Sequence, residues 1–138
     1  MTERSFETIV AEEFPRAIPE KFRPLIRNVA FLVEDEPSPE MREEEGLRDD
    51  ETLLGHYRGV PATARGDLYG IGATLPDAII LYKLPIEDEA EYLSRENKAS
   101  FEENVRKVVR ETIWHEVAHH FGMDEDEVRR REDERDLQ

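Results

Sequence analysis

Histidines stand at positions 115 and 119 with a glutamate at 116. On a helix this spacing has a direct chemical meaning. Residues four apart share a face, so both imidazoles can point at one centre about 2 Å from each nitrogen. Glu116 is rotated about 100° from His115, too far round for an obvious third ligand but close enough to touch a water held by an ion. One rigid element would then carry two nitrogen ligands and a general base, a set suited to metal-assisted hydrolysis of a peptide or amide bond. The chain has no cysteine, so thiolate sites and disulfides are excluded and any ion must sit on His, Asp or Glu. One zinc per chain is the expected metal.

Only two other histidines are present. His120, about 100° round from His119, suits packing or support of the site better than ligation. His56 falls on a strand-like segment and either packs there or faces the cleft. Two other readings of the same residues stay open. In one, the chain is a metal-stabilised domain without turnover, which predicts metal-dependent folding and no cleavage. In the other, it is a module whose acidic loops grip a basic partner, with binding that collapses in salt and ignores chelators.

The histidines need a long helix, and the spacing predicts one over 101–121. Phe101, Val105, Val108, Thr112, His115 and His119 follow at steps of three and four. Ser100 and Glu103 form a capping box at its start, and Gly122 stops it as a left-handed cap. Early in this helix the far face is polar, with Arg106, Lys107, Arg110 and Glu111. Near the histidines it turns apolar, with Trp114, Val117, Ala118 and Phe121. The histidines therefore lie where the helix enters the core, and buried polar groups need partners.

Elsewhere Phe6, Ile9, Val10, Glu13 and Phe14 predict a first helix ended by Pro15 and Pro19. A helical turn is expected from Pro19 to Leu25, anchored by Phe22. Strands are expected at Asn28–Val33, Leu53–Pro61 and Asp77–Lys83, and a further helix at Asp88–Glu96. Loops at about 35–52 and 62–75 and a charged tail at about 129–138 complete one domain spanning 1–138. A peptide lying extended along a sheet edge would use either the Ala78–Lys83 or the Leu53–Arg58 strand.

Composition narrows the partners. Charged residues make up 38% and hydrophobic residues 38%, with a net charge of −15. That balance suits a thin core under a heavily solvated surface. The charge weighs against nucleic acid, repels anionic membranes and concentrates cations. No export signal follows Met1 and no run approaches a membrane span, so a cytoplasmic monomer acting on a peptide or protein is expected.

The string His115-Glu116-Val117-Ala118-His119-His120-Phe121-Gly122 resembles that of the small bacterial family of minimal zincin-like metallopeptidases. The likeness continues through Asn28-Val29 to Val33-Glu34-Asp35 with Pro37, Leu54-Gly55-His56-Tyr57-Arg58-Gly59-Val60-Pro61, and Leu75-Pro76-Asp77 through Leu81-Tyr82. It implies a compact α+β fold, a small sheet of about three strands packed on the metal helix, and peptidase activity. It also implies that His115 and His119 ligate zinc and that Glu116 is the base.

Catalytic zinc sites usually take three protein ligands and a water. A carboxylate just after Gly122 is the expected third, because a reversal there can swing the chain back over the metal. Glu125 leads, since the longer metzincin pattern, which this stretch also resembles, places a ligand three residues past the glycine, more often His or Asp. That pattern's methionine turn is absent, for no methionine follows Met123. Asp124, Asp126 and Glu127 are close competitors, and His56 is the outside candidate if its strand faces the helix.

Overall fold

In the computed structural model, residues 1–26, 28–59, 77–122 and 130–131 are described. The expected loop at 62–75, the acidic run 124–127 with Glu125, and nearly all of the charged tail lie outside them. The expected α+β class holds: a three-stranded sheet packs against helices.

Helix α1 (Glu3–Ala17) starts where Thr2 Oγ1 accepts the Ser5 N–H at 3.1 Å. It buries Phe6, Ile9, Val10, Glu13 and Ala17 along one stripe. Pro15 does not end it, contrary to expectation. A proline denies one backbone bond, but here it falls in the last turn and the buried stripe continues past it to Ala17. A 3₁₀ helix (Glu20–Leu25) follows as expected and sets the Phe22 ring 5.6 Å from Trp114.

Strand β1 (Val29–Glu34) pairs in parallel with β3 (Asp77–Tyr82), in register from Val29↔Asp77 to Glu34↔Tyr82. Strand β2 (Gly55–Arg58) pairs antiparallel on the other side of β3. The sheet order β1-β3-β2 makes β3 the central strand. It therefore offers no edge to a peptide, and of the two expected edges only that of β2 remains. Between β1 and β2 the expected loop contains a short helix, α2 (Pro39–Glu44). Ser38 caps it through the Met41 N–H, Pro39 occupies a first-turn position that needs no N–H, and Met41 alone is buried. One apolar residue leaves no periodicity to read.

Helix α3 (Lys83–Glu96) begins directly after β3, five residues earlier than expected. Pro85, read as a strand boundary, sits in its first turn, where amide donors have no intrahelical acceptor. Pro85, Ile86 and Ala90 form its buried face.

Helix α4 (Phe101–His120) is the centre of the molecule. Ser100 Oγ accepts the Glu103 N–H at 3.1 Å. At the other end Gly122 adopts φ +81°, with its N–H on the His119 carbonyl at 3.0 Å. Ile113, Trp114 and Ala118 are fully buried, while Phe121, expected inside, is 43% exposed. The helix packs against α1, α3 and the sheet.

Its polar early face is only partly solvated. Arg106 and Arg110 donate to the wholly buried Glu13 of α1 at 3.1 and 2.8 Å, and Arg16 adds a third contact at 3.3 Å. Asn104, also buried, bonds Ser94 and Asn97 and ties the α3–α4 turn together. Among the described residues no helix is long and apolar enough to cross a membrane.

Candidate active site

The site is built where the last turns of α4 run beside the outer edge of β2, on which no further strand pairs among the described residues. Gly55 sets the approach. A Cβ there would lie 2.7 Å from Thr112 Cγ2 and 2.9 Å from the Ile80 carbonyl oxygen, so only glycine lets strand and helix come this close. The Tyr82 N–H bonds the Leu54 carbonyl at 2.9 Å, and alternation along an antiparallel pair then turns the Tyr57 N–H away from β3. It donates instead to Glu116 Oε1 at 3.1 Å. The carboxylate of the histidine helix thus closes on the edge of the sheet.

Glu116 is half-buried. Burial pushes its pKa above the ordinary carboxylate range. The Tyr57 N–H and the imidazoles of His56, His119 and His115 pull it back part of the way.

His115 is held by its own helix. Its Nδ1 lies 2.8 Å from the Glu111 carbonyl oxygen. A carbonyl only accepts, so Nδ1 carries the proton and the lone pair is on Nε2. This is the tautomer that a metal-binding histidine with a backbone partner takes. The His119 ring stands nearly perpendicular to that of His115, with centroids 6.2 Å apart. Zinc–nitrogen bonds of about 2.0–2.1 Å let two imidazoles bracket one ion with ring centres about 5–6 Å apart. The pair stands slightly beyond that span, and its donor chemistry fits zinc.

Among the described residues no group of three or more His, Asp or Glu side chains converges on a metal position. Glu125, Asp124, Asp126 and Glu127 lie outside the described residues. His56 acts on Glu116 through its charge but turns its Nδ1 towards Glu45, just past α2, at 3.7 Å. Gly55 and Tyr57 face α4, so alternation puts His56 on the opposite face of the sheet. His120 packs rather than points to the pair. Its ring stacks on Tyr57 at 3.9 Å, and its Cε1 would touch a Cβ placed on Gly59 at 3.4 Å. Tyr57 is held from below as well, its hydroxyl bonding Asp77 Oδ2 at 2.6 Å.

Two residues of the site carry no signal in the side-chain pattern. Glu111 and Tyr57 act through main-chain groups, and a motif of side-chain types cannot show them. A cavity of about 420 Å³ opens beside His115 and Glu116 and extends towards the start of α4.

No curated protein matches the chain. A family model described as zincin-like metallopeptidase matches residues 26–135, which takes in all three strands, α3 and α4. The histidine pair and its glutamate fall inside that match. Coverage of most of the sequence, from β1 through the site, places this chain in the zincin-like metallopeptidase family.

Proposed function

We propose that the protein is a zinc-dependent peptidase, holding one zinc through His115, His119 and a carboxylate of the 124–127 run, Glu125 first. The observation that carries this reading is the placing of Glu116, half-buried beside the histidine pair and bonded to the sheet edge. A zinc ion held there would supply a water of much lowered pKa and a charge that polarises a carbonyl.

The chain's own residues do the rest. Glu116 takes the proton of the attacking water and returns it to the leaving amine. Burial raises its pKa in the metal-free chain, and a proton acceptor at this place is what the step needs. The Glu111 carbonyl keeps His115 in one tautomer and one ring orientation. Of the outward backbone groups of β2 the Tyr57 N–H is taken by Glu116, and the remaining ones would receive an extended peptide, as in strand addition. With a net charge of −15, the partner is a peptide or protein rather than nucleic acid or an anionic membrane.

Calorimetric titration of metal-free protein with zinc, paired with digestion of a broad peptide library, tests the reading. His115→Ala and His119→Ala are expected to lose zinc binding. Glu116→Gln keeps the shape and removes the proton acceptor. It is expected to hold zinc within about threefold of the parent while hydrolysis falls about 100-fold or more. Equal turnover by parent and Glu116→Gln rejects the base. A zinc-loaded parent silent on every peptide rejects hydrolysis and leaves a metal-binding domain.

A further inference from the structure

We propose that the cavity beside Glu116 is a side-chain pocket for a lysine or arginine next to the bond to be cleaved. The proposal rests on the peptidase reading above for its place beside a scissile bond, and on the cavity alone for its chemistry. At about 420 Å³ the space is in the range of ligand sites and takes one long side chain with adjoining backbone. It opens at His115 and Glu116 and runs towards the start of α4, so whatever fills it starts at the reacting position.

The walls and the rim differ. Leu54, Leu93 and Val108 supply apolar walls, and Glu89 and Glu111 bring two carboxylates to the lining. Among the described residues neither carboxylate makes an ion pair. Lys107 also lines the cavity and opposes a cation, but two carboxylates outweigh it and the whole chain is strongly negative.

Thr112 lines the same cavity and is only 7% exposed. Among the described residues its Oγ1 has no hydrogen-bond partner, but that oxygen has almost no accessible surface and adds nothing to the polar lining. Glu116 and Glu111 lie about 7.5 Å apart along the helix axis at 1.5 Å per residue. An apolar stem with a cationic head of several donors spans that distance, burying the stem and meeting Glu111 at its end. A plain apolar side chain would fill the walls and leave the carboxylates unanswered.

Fluorescence anisotropy on the zinc-loaded Glu116→Gln protein tests this without turnover. The probes are labelled hexapeptides identical except for a central lysine, arginine, norleucine or glutamate, in 0.15 M salt to suppress diffuse attraction. Lysine and arginine peptides are expected to bind about tenfold or more tighter than norleucine. Adding Glu89→Gln and Glu111→Gln should bring that ratio to about one, whereas Glu3→Gln with Glu7→Gln, which removes equal charge outside the cavity, should leave it. Lys107→Glu, which needs no change in the walls, should raise the ratio. Equal binding of lysine and norleucine, tighter binding of glutamate, or a ratio unmoved by the cavity variants overturns the pocket. Cleavage by the parent is read separately. A parent that shows the preference and hydrolyses nothing keeps the pocket and removes the peptidase. A parent that cleaves without basic preference keeps the peptidase and removes the pocket.

Discussion

For Glu116, the residue proposed as general base, the surroundings set the affinity for a proton. Burial raises its pKa, while the Tyr57 N–H and three imidazoles limit the rise. The sign of the consequence for stability follows from the direction alone. A carboxyl whose pKa is higher in the folded than in the unfolded chain favours folding when protonated, and that advantage is lost as pH rises through the raised value. In metal-free protein at pH 7 the ionised Glu116 therefore opposes folding. Glu116→Gln, which keeps an acceptor for the Tyr57 N–H, should melt higher than the parent at pH 7. The gap should close as pH falls through the raised pKa towards the ordinary carboxylate range. Thermal melts from pH 7 to 4 in chelator check this, and a gap that widens towards acid contradicts it. His115, Glu116 and His119 were legible from their spacing, because a helix converts i, i+1 and i+4 into fixed angles. The Glu111 carbonyl and the Tyr57 N–H were not, because every residue has these groups and only the fold chooses which ones matter.

Among the elements, α4 was readable almost to the residue, having twenty positions of strong periodicity, a serine cap and a terminal glycine. The prolines misled, since Pro15 and Pro85 sit in a last and a first turn, where a missing N–H matters least. The central place of β3 had a signal in the unbroken apolar run Ala78-Ile79-Ile80-Leu81-Tyr82, which suits a strand covered on both faces. Glu13 had one too, as a lone charge inside the apolar stripe of α1. Arg106 and Arg110 join it to α4 and Arg16 adds a contact within α1, so Glu13→Ala leaves charges beside a buried gap and should cost about 3 kcal/mol in urea unfolding. Arg16→Ala removes a partner that is mostly exposed and should cost less than about 1 kcal/mol. Equal losses would mean that the buried carboxylate is not the hub. Gly55 holds the edge strand against α4. Gly55→Ala should destabilise by about 1–3 kcal/mol through overpacking, and Thr112→Ser, which removes the clashing Cγ2, should recover part of that loss but not the part owed to the Ile80 carbonyl. Additive losses in this pair would show that strand and helix do not meet as described.

For the whole molecule, the net charge of −15 acts in two ways that experiment can separate. Like charges crowded on a compact chain repel, which destabilises the folded state and is relieved by any salt. A site does something different: an ion that binds only the folded chain stabilises it by about RT ln(1 + [L]/Kd), or about 2.7 kcal/mol at a hundredfold excess over Kd. Metal-free protein should therefore melt higher as sodium chloride rises from low concentration to 0.15 M, whether or not the histidines are present. At constant ionic strength, zinc in the micromolar range should raise the melting temperature further and magnesium should not, since imidazole nitrogens favour zinc and magnesium prefers oxygen ligands. The variant His115→Ala/His119→Ala should keep the sodium chloride gain and lose the zinc gain. Glu125→Gln should keep the first and lose part of the second, with zinc affinity down tenfold or more if that carboxylate is a ligand. Equal stabilisation by magnesium and zinc, or a zinc gain that survives the double histidine variant, would reduce the ion to a general counter-charge for an acidic surface. A zinc gain unchanged in Glu125→Gln but lost in Asp124→Asn, Asp126→Asn or Glu127→Gln would move the third ligand along the acidic run without disturbing the histidine pair.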